Sequence, residues 1–265
     1  MTRIPVGLST ASVWPRTAST GFALAAELGY DGVEVMVWAD PLSQDVPGLR
    51  KRSARTGVPV LAVHAPCLLI TQRVWSADPE VRLRRAVEAA QDLGAGTVVV
   101  HPPFRWQRRY ADGFADLVAE LEADSGVAVA VENMFPVRRG LGARSVEMTA
   151  FRPSIDPTDV GHRNYTLDLS HTAAARVDAL ALAGRMGAGL RHLHLADGTG
   201  LPKDEHLVPG RGNQPCAAVC RALAAGGFDG QVVVEISTRR ARTSEQRMND
   251  LAEALRFART HLGGH

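Results

Sequence analysis

Eight short apolar runs recur along this chain, at Ile4–Ser9, Gly32–Val37, Val60–His64, Thr97–His101, Val127–Asn133, Tyr165–Leu169, Arg191–Leu195 and Gln231–Ile236. Most are unbroken stretches of Val, Ile and Leu, without the apolar–polar alternation of a half-exposed strand. That pattern fits parallel strands covered on both faces. The segments between them carry helix punctuation. Asp78 followed by Pro79 supplies a cap and a first helical residue, and Gly94 supplies the stop. Thr243 with Gln246 three residues on is a capping box, opening a last helix that runs to about His261. Successive runs begin about 30 residues apart, the length of one strand–helix unit. Eight such units in 265 residues predict an α/β fold, a single (β/α)8 TIM barrel domain spanning residues 1–265. A doubly wound open sheet would show fewer units and a glycine-rich phosphate loop after the first strand. The chain reads LSTASVWP there.

One stretch breaks the rhythm. Pro136 to Arg163 is the longest irregular segment, contains RRGLGARS, and is expected to hold a short helix around Ser145–Phe151. After a barrel strand, a loop of that length is commonly a lid or substrate loop. Composition changes the picture little. A hydrophobic fraction of 45% with 22% charge is ordinary for a globular core. The net charge of +2 is too small to announce a nucleic-acid binder, although all basic residues but Lys51 and Lys203 are Arg. Three cysteines without close pairing argue against a disulfide scaffold, and Cys216 and Cys220 read as packing residues at a helix start. No apolar run approaches the roughly 18 residues of a membrane span, and the opening MTRIPVGLSTASV shows no leader pattern. A soluble, cytoplasmic protein without membrane contact is the expectation.

The chemistry lies at the strand ends. His64, His101, Glu132, Asp168, His194 and Glu235 stand at or just past the carboxyl ends of six runs, in the words VHAP, VVVHPP, AVENM, TLDLSH, HLHLAD and VVEIS. His171 follows Asp168 by three, and Asp204 and His206 fall in the loop after His194. Singly, a strand-end His is more often a hydrogen-bonded core residue than a ligand, and an Asp before a helix is usually a cap. Nine such residues around one barrel mouth exceed what one ion can use and predict a multinuclear divalent-metal site. Four histidines stay outside it. His162, His261 and His265 read as surface residues, and His192, deeper on the strand of His194, reads as packing.

Through these words the chain resembles the xylose isomerase-like TIM barrel superfamily, and within it endonuclease IV (AP endonuclease family 2). The resemblance spans nearly the whole chain. It implies that His64 and His101 hold one zinc, with Glu132 bridging to a second that Asp168, His194 and Glu235 complete. It further implies that His171, Asp204 and His206 hold a third, and the segment HLVPGRGN resembles that family's glycine-containing stretch. Two or three zinc ions, with manganese or iron as alternatives, suit phosphoester hydrolysis, because closely spaced ions activate water and neutralise the leaving oxygen. Glu132, Glu235 and His171 are the members expected to act most directly. A second resemblance, to sugar and sugar-phosphate isomerases and epimerases of the same superfamily, needs only Glu132, Asp168, His194 and Glu235 around one metal, the two Glu exchanging protons with neighbouring carbons. It leaves Asp204 and His206 unexplained.

The loops suggest a substrate. Arg105 and Arg109 flank Trp106 beyond the fourth run, Arg138, with Arg139 and Arg144, follows the fifth, and Arg211 follows the seventh. Arg forks suit phosphate oxygens, while Trp14, Trp38 and Trp106 can stack on a sugar or base. Departures from endonuclease IV count against duplex DNA. Cys67 stands where that family places an aromatic, only Leu68 resembles a wedge, and VWADPLSQD carries Asp40 and Asp45 where a basic residue is expected. A small phosphorylated sugar or nucleotide is the expected partner.

Overall fold

The computed structural model describes residues 3–139 and 146–263. In chain order its strands are β1 (Val6–Ser9), β2 (Gly32–Met36), β3 (Val60–His64), β4 (Thr97–Val100), β5 (Ala128–Glu132), β6 (Val137–Arg139), β7 (Val146–Met148), β8 (Tyr165–Asp168), β9 (Leu190–Leu195) and β10 (Gln231–Val234). The helices are α1 (Ala18–Leu28), α2 (Val46–Thr56), α3 (Pro79–Leu93), α4 (Arg108–Ser125), α5 (Leu169–Ala175), α6 (Ala179–Met186), α7 (Cys216–Ala225) and α8 (Ser244–Leu262). Eight strands close in the order β1-β10-β9-β8-β5-β4-β3-β2, every neighbouring pair parallel. Each is one of the eight apolar runs, so the barrel follows the reading of the sequence. The punctuation holds as well. Asp78 caps α3 through the amide of Glu80, Gly94 ends it at φ 69°, and Thr243 caps α8 through the amide of Gln246.

The period of two along each strand sorts side chains between two layers. Val33 and Val35 of β2, and Leu193 and Leu195 of β9, join the apolar layer that also buries Phe22, Leu83, Phe114 and Leu251 of the surrounding helices. The alternate positions, Glu34, His192 and His194, face the barrel axis and are fully buried. Cys216 and Cys220 pack in the outer layer, as expected.

Two expectations need correction. The segment around Ser145–Phe151 is not helical where it is described: β7 pairs antiparallel with β6, Val137 opposite Met148 and Arg139 opposite Val146. The β-branched Val137 and Val146 favour the extended form, and pairing satisfies backbone groups that a short uncapped helix would leave open. Among the described residues, the fifth strand–helix unit therefore holds this hairpin and a single 3-10 turn, Pro157–Asp159, where the other seven units carry an α-helix. His162 is not a surface residue: it is buried, its ring edge-on to Phe114 at 5.6 Å, and burial drops its pKa to about 4. His265 lies outside the described residues. No helix among those described is long and apolar enough to cross a membrane.

Candidate metal centre

The barrel brings the nine side chains to one end. His64, Glu132 and Asp168 are the last residues of β3, β5 and β8, His194 is the penultimate residue of β9, and His101 and Glu235 directly follow β4 and β10. His171 sits in the first turn of α5, whose N-cap Asp168 accepts its amide at 2.7 Å. Asp204 and His206 arrive on the loop after β9. Ser170 of α5 pins them, donating its hydroxyl to Asp204 Oδ1 at 2.5 Å and accepting the amide of His206 at 3.0 Å. His206 adopts φ 45°, an uncommon left-handed conformation held by that contact and by its ring.

The outward nitrogen of four imidazoles is committed. His64 Nδ1 lies 3.0 Å from the carbonyl of Ala65, His171 Nδ1 2.8 Å from that of Asn133, and His206 Nδ1 2.6 Å from that of Glu235. A carbonyl only accepts, so each Nδ1 carries the proton and each Nε2 keeps its lone pair for the interior. His194 is turned round: its Nε2 donates to the carboxylate of Glu34 at 3.0 Å, leaving Nδ1 inward. The inward nitrogens meet oxygens. His64 Nε2 and His101 Nε2 lie 3.4 and 3.1 Å from Glu132 Oε2. His194 Nδ1 lies 3.2 Å from Glu132 Oε1, 3.5 Å from Asp168 Oδ2 and 3.0 Å from Glu235 Oε2. Asp204 Oδ2 is 2.6 Å from His206 Nε2 and 3.4 Å from His171 Nε2. For His64, His171, His206 and His194, whose outward nitrogens hold the proton, lone pair faces lone pair unless positive charge stands between them.

Two oxygens mark where that charge belongs. Glu132 Oε2 and Asp168 Oδ2 are buried and have no hydrogen-bond partner. Donor atoms of Glu132, Asp168 and His194 lie within 4.8 Å of one another, as do those of Asp168, His171 and His206. Protons on the imidazoles can supply part of that charge. Despite burial, Cys67 and Glu132 raise His101 to about 9, and Asp168 and Asp204 raise His171 to about 10. Burial alone would raise the carboxyls of Glu132 and Asp204, but the imidazoles of His194 and His206 respectively lead in holding them well below the usual range.

Two members of this site were not singled out from sequence. Glu34, wholly buried on β2, has its carboxylate between His194 and His192, whose Nε2 lies 3.1 Å away. His192 is in turn met at Nδ1 by the amide of Gln231 at 3.0 Å. The signal was present in GVEVM: a carboxylate between two valines, in a strand apolar enough to be covered on both faces. Cys67 lies 3.8 Å from His64 Nδ1, and despite burial the flanking His101 and His64 lower its thiol to about 5.

All of the donors but Asp168 and His194 floor a cavity of about 480 Å³ whose upper wall includes Trp38, Leu68, Phe104, Met134, Phe135 and Phe151. Of the side chains expected to hold substrate, Trp38 alone lines it among the described residues. Arg109 and Trp106 border a separate cleft beside the N-termini of α3 and α4, where Trp106 stacks on Phe104 with centroids 4.6 Å apart. Arg105 donates to the carbonyl of Thr149 at 3.4 Å. Arg211 turns to Asp250 and Glu253 of α8, and Trp14 carries the guanidinium of Arg239 4.5 Å from its ring centroid. Arg138 lies on β6, and Arg144 lies outside the described residues.

Comparison with known proteins agrees with the architecture. An uncharacterized protein of Mycobacterium tuberculosis is 60% identical over 275 residues, covering 98% of each chain. Fructoselysine 3-epimerase of Shigella flexneri is 23% identical over 243 residues, 82% of this chain and 84% of its own. A protein named probable endonuclease 4, of Mycobacterium leprae, is 28% identical over 230 residues, 79% and 87% of the two chains. Among solved structures, IOLI protein with a binding zinc atom superposes with a TM-score of 0.72 at 17% identity, over 97% of this chain and 99% of that one. The family model for the xylose isomerase-like TIM barrel matches residues 22–261, and the chain belongs to that family.

Proposed function

We propose that the protein is a divalent-metal-dependent hydrolase that cleaves the phosphoester of a small molecule at a site for two or three ions. The observation that carries this reading is the inward convergence of the lone pairs of His64, His194 and His206 on carboxylate oxygens, while two carboxylate oxygens, of Glu132 and Asp168, are buried without a hydrogen-bond partner. Glu132, Asp204 and Glu235 on the cavity floor and Asp168 buried beside them bring four negative charges, which by themselves would repel a phosphate. One divalent ion leaves that floor negative, two neutralise it and three make it attractive, so a phosphorylated substrate requires the larger number. Bound there, such ions would also polarise the phosphoryl oxygens and make water more acidic.

The chain's own groups supply the rest. The carbonyls of Ala65, Asn133 and Glu235 and the Glu34 carboxylate fix the rings of His64, His171, His206 and His194. Burial lifts the carboxyl of Glu235 above the usual carboxylate range, though His194 opposes the shift. In hydrolysis the water oxygen forms a new bond to phosphorus as the ester P–O bond breaks. One water proton passes to Glu235 and on to solvent, and the departing oxygen takes up a proton as the free alcohol. The loop after β2 carries Asp40 and Asp45, negative charges that would repel the phosphates of duplex DNA, and this supports a small substrate.

One observation favours a second reading. Glu132 and Glu235 both hold an oxygen within 3.2 Å of His194 Nδ1, two carboxylates about one point, as a one-metal epimerase needs. Metal content per chain, measured on untagged protein purified without chelators, separates the two. Two or three ions, with hydrolysis of a phosphoester that Glu132→Gln abolishes, are expected. One ion, with solvent deuterium incorporated at a sugar carbon, would replace the hydrolase by the epimerase.

A further inference from the structure

The cavity changes character within a few ångströms. Its floor is seven of the nine donors, all but Asp168 and His194, and above it Trp38, Leu68, Phe104, Met134, Phe135 and Phe151 make an apolar wall. Apart from the indole N–H of Trp38, every polar side chain among the described lining residues is one of the floor donors. At the rim Leu69 and Ile70 stand 59% and 79% exposed, adjacent large apolar side chains over an open site. An apolar patch so placed, continuous with a cavity, marks ligand contact better than a scattered surface residue does.

This wall decides between substrate classes. A sugar ring seated above the floor would put several hydroxyls against aromatic and aliphatic carbon, and a buried hydroxyl without a partner is strongly disfavoured. A second charged group would fare worse, because the described lining offers no Lys or Arg to meet it. We infer that the substrate is amphipathic: a phosphoryl group over the donors, esterified to an alcohol whose alkyl or aromatic body fills the space between Trp38 and Phe151. The phosphoryl end rests on the hydrolase reading above; the apolar end rests on the wall alone. The reaction stays balanced as before, with water consumed and the apolar alcohol and inorganic phosphate released.

Two matched pairs of probes test this on the metal-loaded protein by titration calorimetry. Phenylacetohydroxamate and acetohydroxamate share a metal-binding head and differ in the apolar body. 2-Phenylethyl phosphate and ethyl phosphate do the same with a phosphoester, and as primary alkyl esters they have similar intrinsic reactivity. In each pair the phenyl compound is expected to bind at least ~30-fold more tightly, as burial of one phenyl ring permits. Trp38→Ala and Phe151→Ala should cut that ratio to a few-fold, Trp38→Phe should restore most of it, and thermal unfolding confirms that each variant folds. Equal binding of the two hydroxamates overturns the apolar class, whatever the phosphates do. Tighter binding of glucose 6-phosphate than of 2-phenylethyl phosphate also overturns it. Discrimination between hydroxamates with no binding or turnover of either phosphate sustains the apolar class and removes the hydrolase reading.

Discussion

At the scale of single residues, the site is organised by what lies behind the donors. Three of the fixed imidazoles lean on backbone carbonyls, which no substitution of a side chain removes. His194 instead leans on Glu34, so this ring has a support that mutation can reach. The Glu34 carboxylate does two things there. It holds the proton on Nε2 so that Nδ1 faces the cavity, and its charge makes that nitrogen a stronger electron donor. In Glu34→Gln the amide still fills the space, but the charge is gone and its NH2 can present a donor to the ring. Metal titration monitored by fluorescence or calorimetry should then show affinity lowered ~10- to 100-fold at the position His194 serves, with circular dichroism unchanged. An unchanged affinity would mean that Glu34 only packs. Reading from sequence reached His194 but not its support, because GVEVM marks a carboxylate in a covered strand without telling which ring it meets. Only the register that sets β2 and β9 on one interior brings Glu34 and His194 together.

The elements differ in how far their sequence specifies them. The eight barrel strands and the capped helices α3 and α8 were legible because local pattern and tertiary environment agree: continuous Val runs are covered on both sides, and caps satisfy their own termini. The hairpin was not, since two three-residue strands separated by a long loop carry no periodic signal and are defined by each other. The loop after β9 is a third case. Asp197 is fully buried and accepts four backbone amides, from Gly198 at 2.8 Å, Gly210 at 2.9 Å, Gly212 at 3.0 Å and Gln214 at 3.0 Å. It thereby folds the loop that delivers Asp204 and His206, and a Cβ on Gly212 would meet Asp197 Oδ1 at 2.3 Å. The word HLHLAD shows this Asp plainly, yet nothing in it tells which amides converge. In Asp197→Asn the amide group can serve only one pair of these donors, leaving the other two facing NH2, at ~1–3 kcal/mol each. Amide hydrogen exchange over residues 198–214 should accelerate at least tenfold, and bound metal should fall by about one ion per chain while the barrel strands stay protected. Uniformly slow exchange in that loop would show that Asp197 is dispensable for its folding.

For the whole molecule, the cost of the site is electrostatic. Glu34, Glu132, Asp168, Asp204 and Glu235 crowd one end of a barrel that otherwise buries Val and Leu, and their charge must be met by ions or by protons on the imidazoles. Of the loop arginines expected to hold a phosphorylated substrate, Arg211 pairs with Asp250 and Glu253, and Arg105 donates to the carbonyl of Thr149. Sequence could show that Arg was abundant after the strands, but not where each long, flexible side chain finds its partner. Metal-free protein therefore relies on protonated histidine, and the sign of its pH dependence follows. His101 and His171 have folded-state pKa values raised to about 9 and about 10, above the roughly 6.5 of an unfolded chain. Their contribution is fully present below pH ~6.5 and is lost as pH rises through 9 to 10. Chelated protein should accordingly lose melting temperature steeply between pH 7 and pH 10. Metal-loaded protein, in which ions take the place of those protons, should hold its melting temperature over the same range. Loading at pH 7.5 should also release protons, counted by calorimetry in two buffers of different ionisation enthalpy. Superimposable stability curves with and without metal would mean that the imidazoles and carboxylates balance each other unaided, and that the convergence of lone pairs at the barrel mouth is not a metal centre.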